Sequence, residues 1–349
     1  MFSKEIKIGK YKISYHNPTL IIAEIGSNFD GSIDRAKKLI YDAYKCGAQV
    51  AKFQSFKAEK IISEKNFKNT SFQSNWKKSV GEVYKSAELP LEWIIELKAY
   101  SEELGLEFMS APYDIEALEQ LVKNNITSIK IGSGEISNVD FLKTAAETNL
   151  PILLATGASS FSEIDEAMHI LNKYGSGDVI LLQCVTQYPT DFSFSNIRVI
   201  EAYSKMYECI TGYSDHTPGL TVPLGAVALG ARVIEKHFTD DKSREGPDHA
   251  FAMNLVEFTE MSKQIRNLEL ALGKPWKKIE ECEEETKILQ RRGLVTKGKL
   301  QKGERITLEN SVLLRPQKGI LPKDFHKVIG KHINKDMEDS TPICWEDIQ

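Results

Sequence analysis

The sequence predicts an α/β protein: a (β/α)8 TIM barrel followed by a small β-rich domain. Three observations carry this. Eight apolar runs alternate with helix-like segments over roughly 240 residues, close to the length of an eight-stranded α/β barrel. The runs are near-continuous in Ile, Leu, Val and Ala, as strands covered on both faces are. From Arg291 the pattern changes to short alternating runs punctuated by Gly293, Gly303, Pro316, Gly319 and Pro322. A doubly wound open sheet is the competing arrangement, but no G-x-G-x-x-G follows the first run.

Taken in order, residues 1–17 alternate polar and apolar around Gly9-Lys10 and read as a hairpin extension. The barrel is expected over 18–276, with strands in Thr19–Gly26, Gln49–Ser55, Glu107–Pro112, Ser128–Gly134, Pro151–Gly157, Val179–Val185, Ile210–His216 and Val233–Thr239. Between them, Ser32–Gly47 shows a helical stripe of Ile33, Ala36, Leu39, Ile40 and Ala43, with Ser32 as N-cap. Ser162–Gly175 repeats the pattern, starting from Ser162 and Asp165. Pro90 suits a helix first turn ahead of Leu91–Leu104. Lys57–Ser86 is longer and more polar than a helix needs and reads as a functional loop carrying Asn75. Lys277–Lys287 is a charged run, a solvated helix or linker within 277–290. Residues 291–349, with runs at Leu294–Thr296, Ile306–Leu308 and Val312–Leu314, form the small domain.

Composition narrows the function classes. Hydrophobic residues are 41% and charged residues 27% of 349, with net charge −4 and a pI near 6.1. A nucleic-acid binder would show a basic surplus. No apolar run approaches the ~20 residues of a membrane span, and residues 1–10 lack the apolar core of a signal peptide. The five scattered cysteines read as reduced thiols. A cytoplasmic protein, with neither a membrane nor a nucleic-acid partner, is the expectation.

The chemistry is concentrated at strand C-terminal ends, where barrels of this type build their sites. His216 and His237 end two runs and lie 21 residues apart, enough for one helical crossover between parallel neighbours. On adjacent strands about 4.8 Å apart, both could reach one divalent cation; the alternative is two hydrogen-bonded strand-end histidines. Lys52 shares a face with Gln54, and Glu235 with His237. Two lysines inside a barrel each require an anion, because an unpaired buried ammonium costs several kcal/mol. That anion is either a substrate or a carboxylate among Glu24, Glu135 and Glu235. Lys130 precedes Gly132-Ser133-Gly134, a turn that lets backbone N–H groups approach a phosphate.

These stretches together resemble the sialic acid synthase family. The matching residues are Ala23-Glu-Ile-Gly26, Lys52-Phe-Gln54, Lys130-Ile-Gly-Ser-Gly-Glu135, Tyr188-Pro-Thr190, Gly212-Tyr-Ser-Asp-His-Thr217, Glu235-Lys-His-Phe-Thr239 and Gly246-Pro-Asp248. Leu314-Arg-Pro316 and Ile329-Gly-Lys331 resemble the antifreeze-like (SAF) domain that closes those enzymes. The resemblance implies condensation of phosphoenolpyruvate with an N-acylated aminohexose, giving a nine-carbon 2-keto sugar acid and phosphate. It implies that His216 and His237 hold Mn2+ or a similar ion, a Lewis acid toward the sugar aldehyde. It places Lys52, Lys130, Ser133 and Ser214 on phosphoenolpyruvate, and Glu24 as the proton-transfer or water-orienting carboxylate. Gln54, Asn75, Tyr188 and Asp248 fall on the sugar, and Arg315 on its N-acyl group from across a domain-swapped homodimer.

Two departures stand out. Ala111 and Ala155 occupy positions where hydroxyl residues help bind phosphate in that family; Ser110 and Thr156 are the neighbouring hydroxyls, but strand parity points them differently. Thr186 stands where N-acetylneuraminate-making members carry Asn and members acting on 6-deoxy diacetamido sugars often carry Thr, so the resemblance implies a legionaminate-type product from a 2,4-diacetamido-trideoxyhexose rather than N-acetylneuraminate from N-acetylmannosamine. The competing readings are a Schiff-base aldolase using Lys52 or Lys130 and a non-catalytic carbohydrate-binding protein.

Overall fold

The computed structural model describes residues 1–63, 65–66 and 78–349. They fold as two compact units, Met1–Gly273 and Lys274–Gln349. The first opens with an antiparallel pair, β1 (Glu5–Ile8) and β2 (Tyr11–Ser14). Alternation puts Ile6, Ile8 and Ile13 on one buried face, where they join Leu20, Val50, Ile180, Ile210 and Val233 from the starts of the barrel strands. The hairpin therefore plugs the N-terminal end of the cylinder. Burying each isoleucine is worth about 1.5–3 kcal/mol. The Lys10 N–H donates to Glu107 and the Tyr11 hydroxyl to the Gly105 carbonyl, both at the foot of one barrel strand.

The barrel strands are β3 (Leu20–Gly26), β4 (Val50–Ser55), β5 (Glu107–Pro112), β6 (Ile129–Ile131), β7 (Ile152–Ala155), β8 (Val179–Cys184), β9 (Ile210–Asp215) and β10 (Val233–His237). All run parallel, in the order β5-β4-β3-β10-β9-β8-β7-β6, and β5 and β6 lie against each other to close the ring. Their outward side chains, such as Ile21, Ala23, Phe53 and Phe108, pack on the helices in the main core. Every strand lies within its sequence-expected run. The largest trimming is at β6, because Gly132 turns the chain into a 3-10 turn, Ser133–Glu135.

The first helix spans Ile33–Lys45, and Ser32 accepts the Arg35 N–H as its cap. The helix expected to start from Ser162 spans Phe161–Tyr174 and is capped by Ser160 instead. Glu163 decides this. It returns a bond to the Ser160 N–H at 2.7 Å, closing a reciprocal capping box. After Pro90 a 3-10 turn, Leu91–Trp93, leads into Ile94–Glu103. The segment expected as a functional loop, 57–86, includes among its described residues the helix Ala58–Ile61 and most of the helix Val80–Ala87. Asn75 lies outside the described residues.

The second unit begins with a solvent-facing turn and helix, Glu281–Glu283 and Glu284–Gln290. Its ladder pairs β11 (Gly293–Thr296) with β12 (Ser311–Leu314). The run Ile306–Leu308 is not a strand; only Arg305 bridges, to His332. Ile306 instead packs into a core of Leu294, Leu300, Ile320, Val328, Ile333, Met337 and Ile343. Among the described residues no helix is long and apolar enough to cross a membrane, and all five cysteines are free.

Candidate active site

Just inside the C-terminal end of the barrel, four charged side chains from four strands meet. Lys52 Nζ on β4 lies 2.6 Å from Glu24 on β3 and 3.7 Å from Glu235 on β10. Lys130 on β6 donates to Glu235 at 3.0 Å, as does the Ser214 hydroxyl on β9, also at 3.0 Å. Gln54 donates its amide to Glu24 at 2.7 Å. The carboxylates are thus Glu24 and Glu235. Glu135 takes no part, sitting on the turn after β6 with Asn138 as its partner.

The two carboxyls are pushed apart in acidity. Burial works against the Glu235 carboxylate, but Lys130 and Lys52 outweigh it and hold it down to about 2. Burial raises Glu24, and the single lysine beside it does not reverse the effect. Such a split separates a permanent counter-ion from a carboxyl able to exchange a proton. Lys52 is disfavoured by burial, yet Glu235 and Glu24 keep its pKa above the ordinary value. A lysine held as ammonium is a poor amine nucleophile, which counts against the Schiff-base reading.

Above this network stand His216 and His237, their ring centroids 5.4 Å apart. The crossover spacing has the expected result: β9 and β10 are direct neighbours, with Asp215 opposite Lys236. His216 Nδ1 bonds the Val185 carbonyl at 2.8 Å. That bond makes Nδ1 the donor and leaves Nε2 as a lone pair. His237 Nδ1 is buried with no hydrogen-bond partner among the described residues. Burial holds His216 down to about 4 and His237 well below its usual range, so both rings are neutral at pH 7. Two neutral imidazoles side by side, one with an orphaned nitrogen, fit a divalent cation. No group of three or more His, Cys, Asp or Glu converges on one point among the described residues. The pair would leave most coordination positions to water and substrate, as a catalytic ion requires.

Beside the histidines is a cavity of about 180 Å³. Its polar lining includes Ser27, Gln54, Tyr113, His237 and Asp248, and its apolar wall includes Phe56, Ile61, Val83, Ala87 and Phe251. Tyr188 closes one side, its ring 4.2 Å from His216 and 5.1 Å from Phe251. Asp248 accepts from the backbone and hydroxyl of Ser27 at 3.4 and 3.2 Å, and burial raises its pKa. Gly26, at φ +55°, makes room for it: a Cβ there would stand 2.6 Å from the Asp248 carboxylate.

The chain as a whole is similar to known proteins. The NeuB family model matches residues 39–277 and the SAF domain model residues 291–349. The chain belongs to the NeuB family. It is 37% identical to the N,N'-diacetyllegionaminic acid synthase of Campylobacter jejuni over 93% of this chain and 98% of that protein. An uncharacterized protein of Methanocaldococcus jannaschii, MJ1065, is 39% identical over 99% of both chains. The N-acetylneuraminic acid synthetase of Leptospira borgpetersenii, solved with citrate, superposes with a TM-score of 0.74 at 32% identity. The match covers 81% of this chain and 95% of that one. As a NeuB-family protein this chain is an enzyme, a phosphoenolpyruvate-dependent transferase that forms a carbon–carbon bond. The reading as a non-catalytic carbohydrate-binding protein is set aside by that membership.

Of the site residues expected from the sequence, the barrel brings together Glu24, Lys52, Gln54, Lys130, Tyr188, Ser214, His216, His237 and Asp248. Ser133 lies at the rim, where its hydroxyl accepts the Gly157 N–H at 2.9 Å. Arg315 is in the other unit, exposed just after β12. Ser110 and Thr156 do not stand in for the hydroxyls missing at Ala111 and Ala155. Ser110 bonds Ser55 at 2.7 Å and Thr156 bonds the Leu182 carbonyl at 3.0 Å, on the far side of their strands.

Sequence reasoning passed over several residues of this candidate site. Ser27 holds Asp248, and Tyr113 and Phe251 line the cavity. Lys236, between Glu235 and His237, is 2% exposed and faces out of the barrel. It bonds Asp215 and the carbonyls of Thr217 and Gly219, tying down the loop that carries His216. A third lysine within a buried strand was the available signal. Gly212 is demanded by packing, since a Cβ there would lie 2.5 Å from both the Val233 carbonyl and Leu182.

Proposed function

We propose that this NeuB-family enzyme condenses phosphoenolpyruvate with a 2,4-diacetamido-trideoxyhexose, giving a legionaminate-type nine-carbon 2-keto acid and phosphate. The observation that carries the reading is the buried Lys52–Glu24 and Lys130–Glu235 network directly below two neutral histidines. Phosphoenolpyruvate sits against Lys52 and Lys130, with Ser133 and Ser214 supplying neutral donors. The acceptor occupies the neighbouring cavity, where Gln54, Tyr188 and Asp248 orient its polar groups. The apolar wall of Ile61, Val83, Ala87 and Phe251 suits N-acyl and 6-deoxy methyl groups better than a polar hydroxymethyl arm.

In this arrangement C3 of the enol attacks the aldehyde carbon and C2 becomes an oxocarbenium-like centre. Water adds at C2, and phosphate then leaves by C–O cleavage. Glu24, raised in pKa and held by Gln54, is placed to take the proton of that water. Glu235 stays ionised, favours the charged form of Lys52 and holds both lysines in place. A divalent cation held by His216 and His237, such as Mn2+, would supply Lewis acidity toward the aldehyde oxygen. Arg315 completes the acceptor site across a homodimer with exchanged C-terminal domains.

The test is incubation with phosphoenolpyruvate, Mn2+ and a panel containing N-acetylmannosamine and 2,4-diacetamido-trideoxyhexoses, reading phosphate release and product mass. A product from the diacetamido sugars, with little from N-acetylmannosamine, is expected. Equal or better turnover of N-acetylmannosamine overturns the acceptor assignment. Activity indifferent to EDTA and to His216→Ala overturns the metal assignment.

A further inference from the structure

We propose that Tyr113 is an anion-binding residue, its hydroxyl donating to the phosphoenolpyruvate held by Lys52 and Lys130. The inference rests on the proposed reaction and adds a residue to it. Tyr113 follows β5 directly, and its N–H extends the β4–β5 ladder by bonding the Ser55 carbonyl at 3.1 Å. Strand alternation therefore continues. Met109 faces the barrel interior with the other plug residues, so Ala111 and Tyr113 face inward above it.

Two residues beyond Met109 and Leu153, which pair with Lys52 and Lys130, β5 and β7 present only the methyl groups of Ala111 and Ala155. The nearby hydroxyls of Ser110 and Thr156 are engaged elsewhere. Tyr113 is the next inward polar group on that side. Its ring leans over the Gly132-Ser133-Gly134 turn: a Cβ at Gly132 would stand 3.0 Å from the hydroxyl and 3.2–3.3 Å from the ring edge. Glycine at 132 is what lets the ring lie across the turn that follows Lys130.

Phe56 holds the ring from the other side, edge-on at 6.0 Å. The hydroxyl itself has no hydrogen-bond partner among the described residues, and it opens on the cavity shared with Gln54, His237 and Asp248. Burial, with Glu24 and Glu235 nearby, pushes the phenol pKa far up. The group then keeps its proton and can donate it in a hydrogen bond, as an anion site needs. A fixed, protonated, unpartnered donor between two lysine-bearing strands is matched by an incoming anion and by little else in this site.

The experiment is Tyr113→Phe in the full-length enzyme, which keeps the ring packing on Phe56 and Gly132. Phosphoenolpyruvate is titrated calorimetrically in the absence of acceptor, and steady-state constants are then measured for both substrates. A hydrogen bond to a charged group corresponds to roughly a 10- to 100-fold loss of phosphoenolpyruvate affinity. That loss is expected in the titration and in its KM, with acceptor KM changed less than about twofold. Unchanged phosphoenolpyruvate affinity in the variant overturns the assignment, as does a defect confined to acceptor KM. A wild-type protein that binds no phosphoenolpyruvate overturns the proposed reaction itself.

Discussion

Replacing Glu235 by Gln separates the two tasks of the charged network. In the free enzyme Glu235 is the shared counter-ion of Lys130 at 3.0 Å and Lys52 at 3.7 Å. Glutamine keeps the shape and can still accept from Lys130 and Ser214, but the pocket then holds two ammonium groups against one carboxylate. Breaking a buried pair of this kind costs about 3–5 kcal/mol, a fall in Tm on the order of 10 °C. The same change removes a negative charge roughly 6 Å from an anion bound by the lysines. At an effective dielectric of 20 this favours the anion by roughly 3 kcal/mol. Phosphoenolpyruvate should therefore raise the Tm of Glu235→Gln by more than it raises that of the wild type. Lys130→Met gives the opposite sign: a comparable loss of stability, with most of the phosphoenolpyruvate-induced shift abolished. The assay is thermal unfolding of the metal-free enzyme with and without phosphoenolpyruvate, acceptor omitted so that nothing turns over. A smaller ligand shift in Glu235→Gln than in wild type, or equal shifts in both variants, would refute the assignment of these lysines to substrate.

The other predictions concern the parts around that network. His216 is held to about 4 by burial while the unfolded imidazole titrates near 6.5. Between those values the unfolded state binds the extra proton, so stability is lost as pH falls from about 6.5 toward 4. The slope is at most about 1.4 kcal/mol per pH unit. Glu24 and Asp248, raised by burial, pull the other way. The comparison is therefore of denaturation curves for wild type and His216→Ala without metal, and the variant should show the flatter dependence. Lys236→Met should loosen the 215–219 loop, lowering kcat and Mn2+ affinity while leaving phosphoenolpyruvate binding within about twofold, because Lys236 never faces the barrel interior. Gly212→Ala should cost about 1–3 kcal/mol or more through its clash with the Val233 carbonyl, read by chemical denaturation. Mixing the inactive His216→Ala and Arg315→Ala variants tests the proposed homodimer: activity should return at about one site in two of each mixed dimer. No recovery after subunit exchange would dismiss the domain-swapped arrangement.

Much of the barrel and its polar core was legible in the chain itself. Runs of Ile, Leu, Val and Ala announce strands because a strand covered on both faces has no water-facing side to vary. Period-two alternation then forces Lys52 with Gln54, and Glu235 with His237, onto common faces. The 21-residue interval between His216 and His237 implies a crossover and so neighbouring strands. All of these depend on local periodicity or on one helix length, and both are written in consecutive residues.

What tertiary structure alone decided is which partners meet around the ring. Glu24 and Glu235, not Glu135, answer the lysines, because β3 and β10 adjoin while Glu135 leaves on the turn after β6. Ser160 takes the cap expected of Ser162, because a reciprocal bond from Glu163 depends on backbone geometry at the helix entry. Tyr113 meets the Gly132 turn across 19 residues of chain, and Lys236 reaches back to Gly219 outside the cylinder. Such meetings are fixed by ring closure and strand stagger, which sum over the whole barrel and leave no mark on any single stretch of residues.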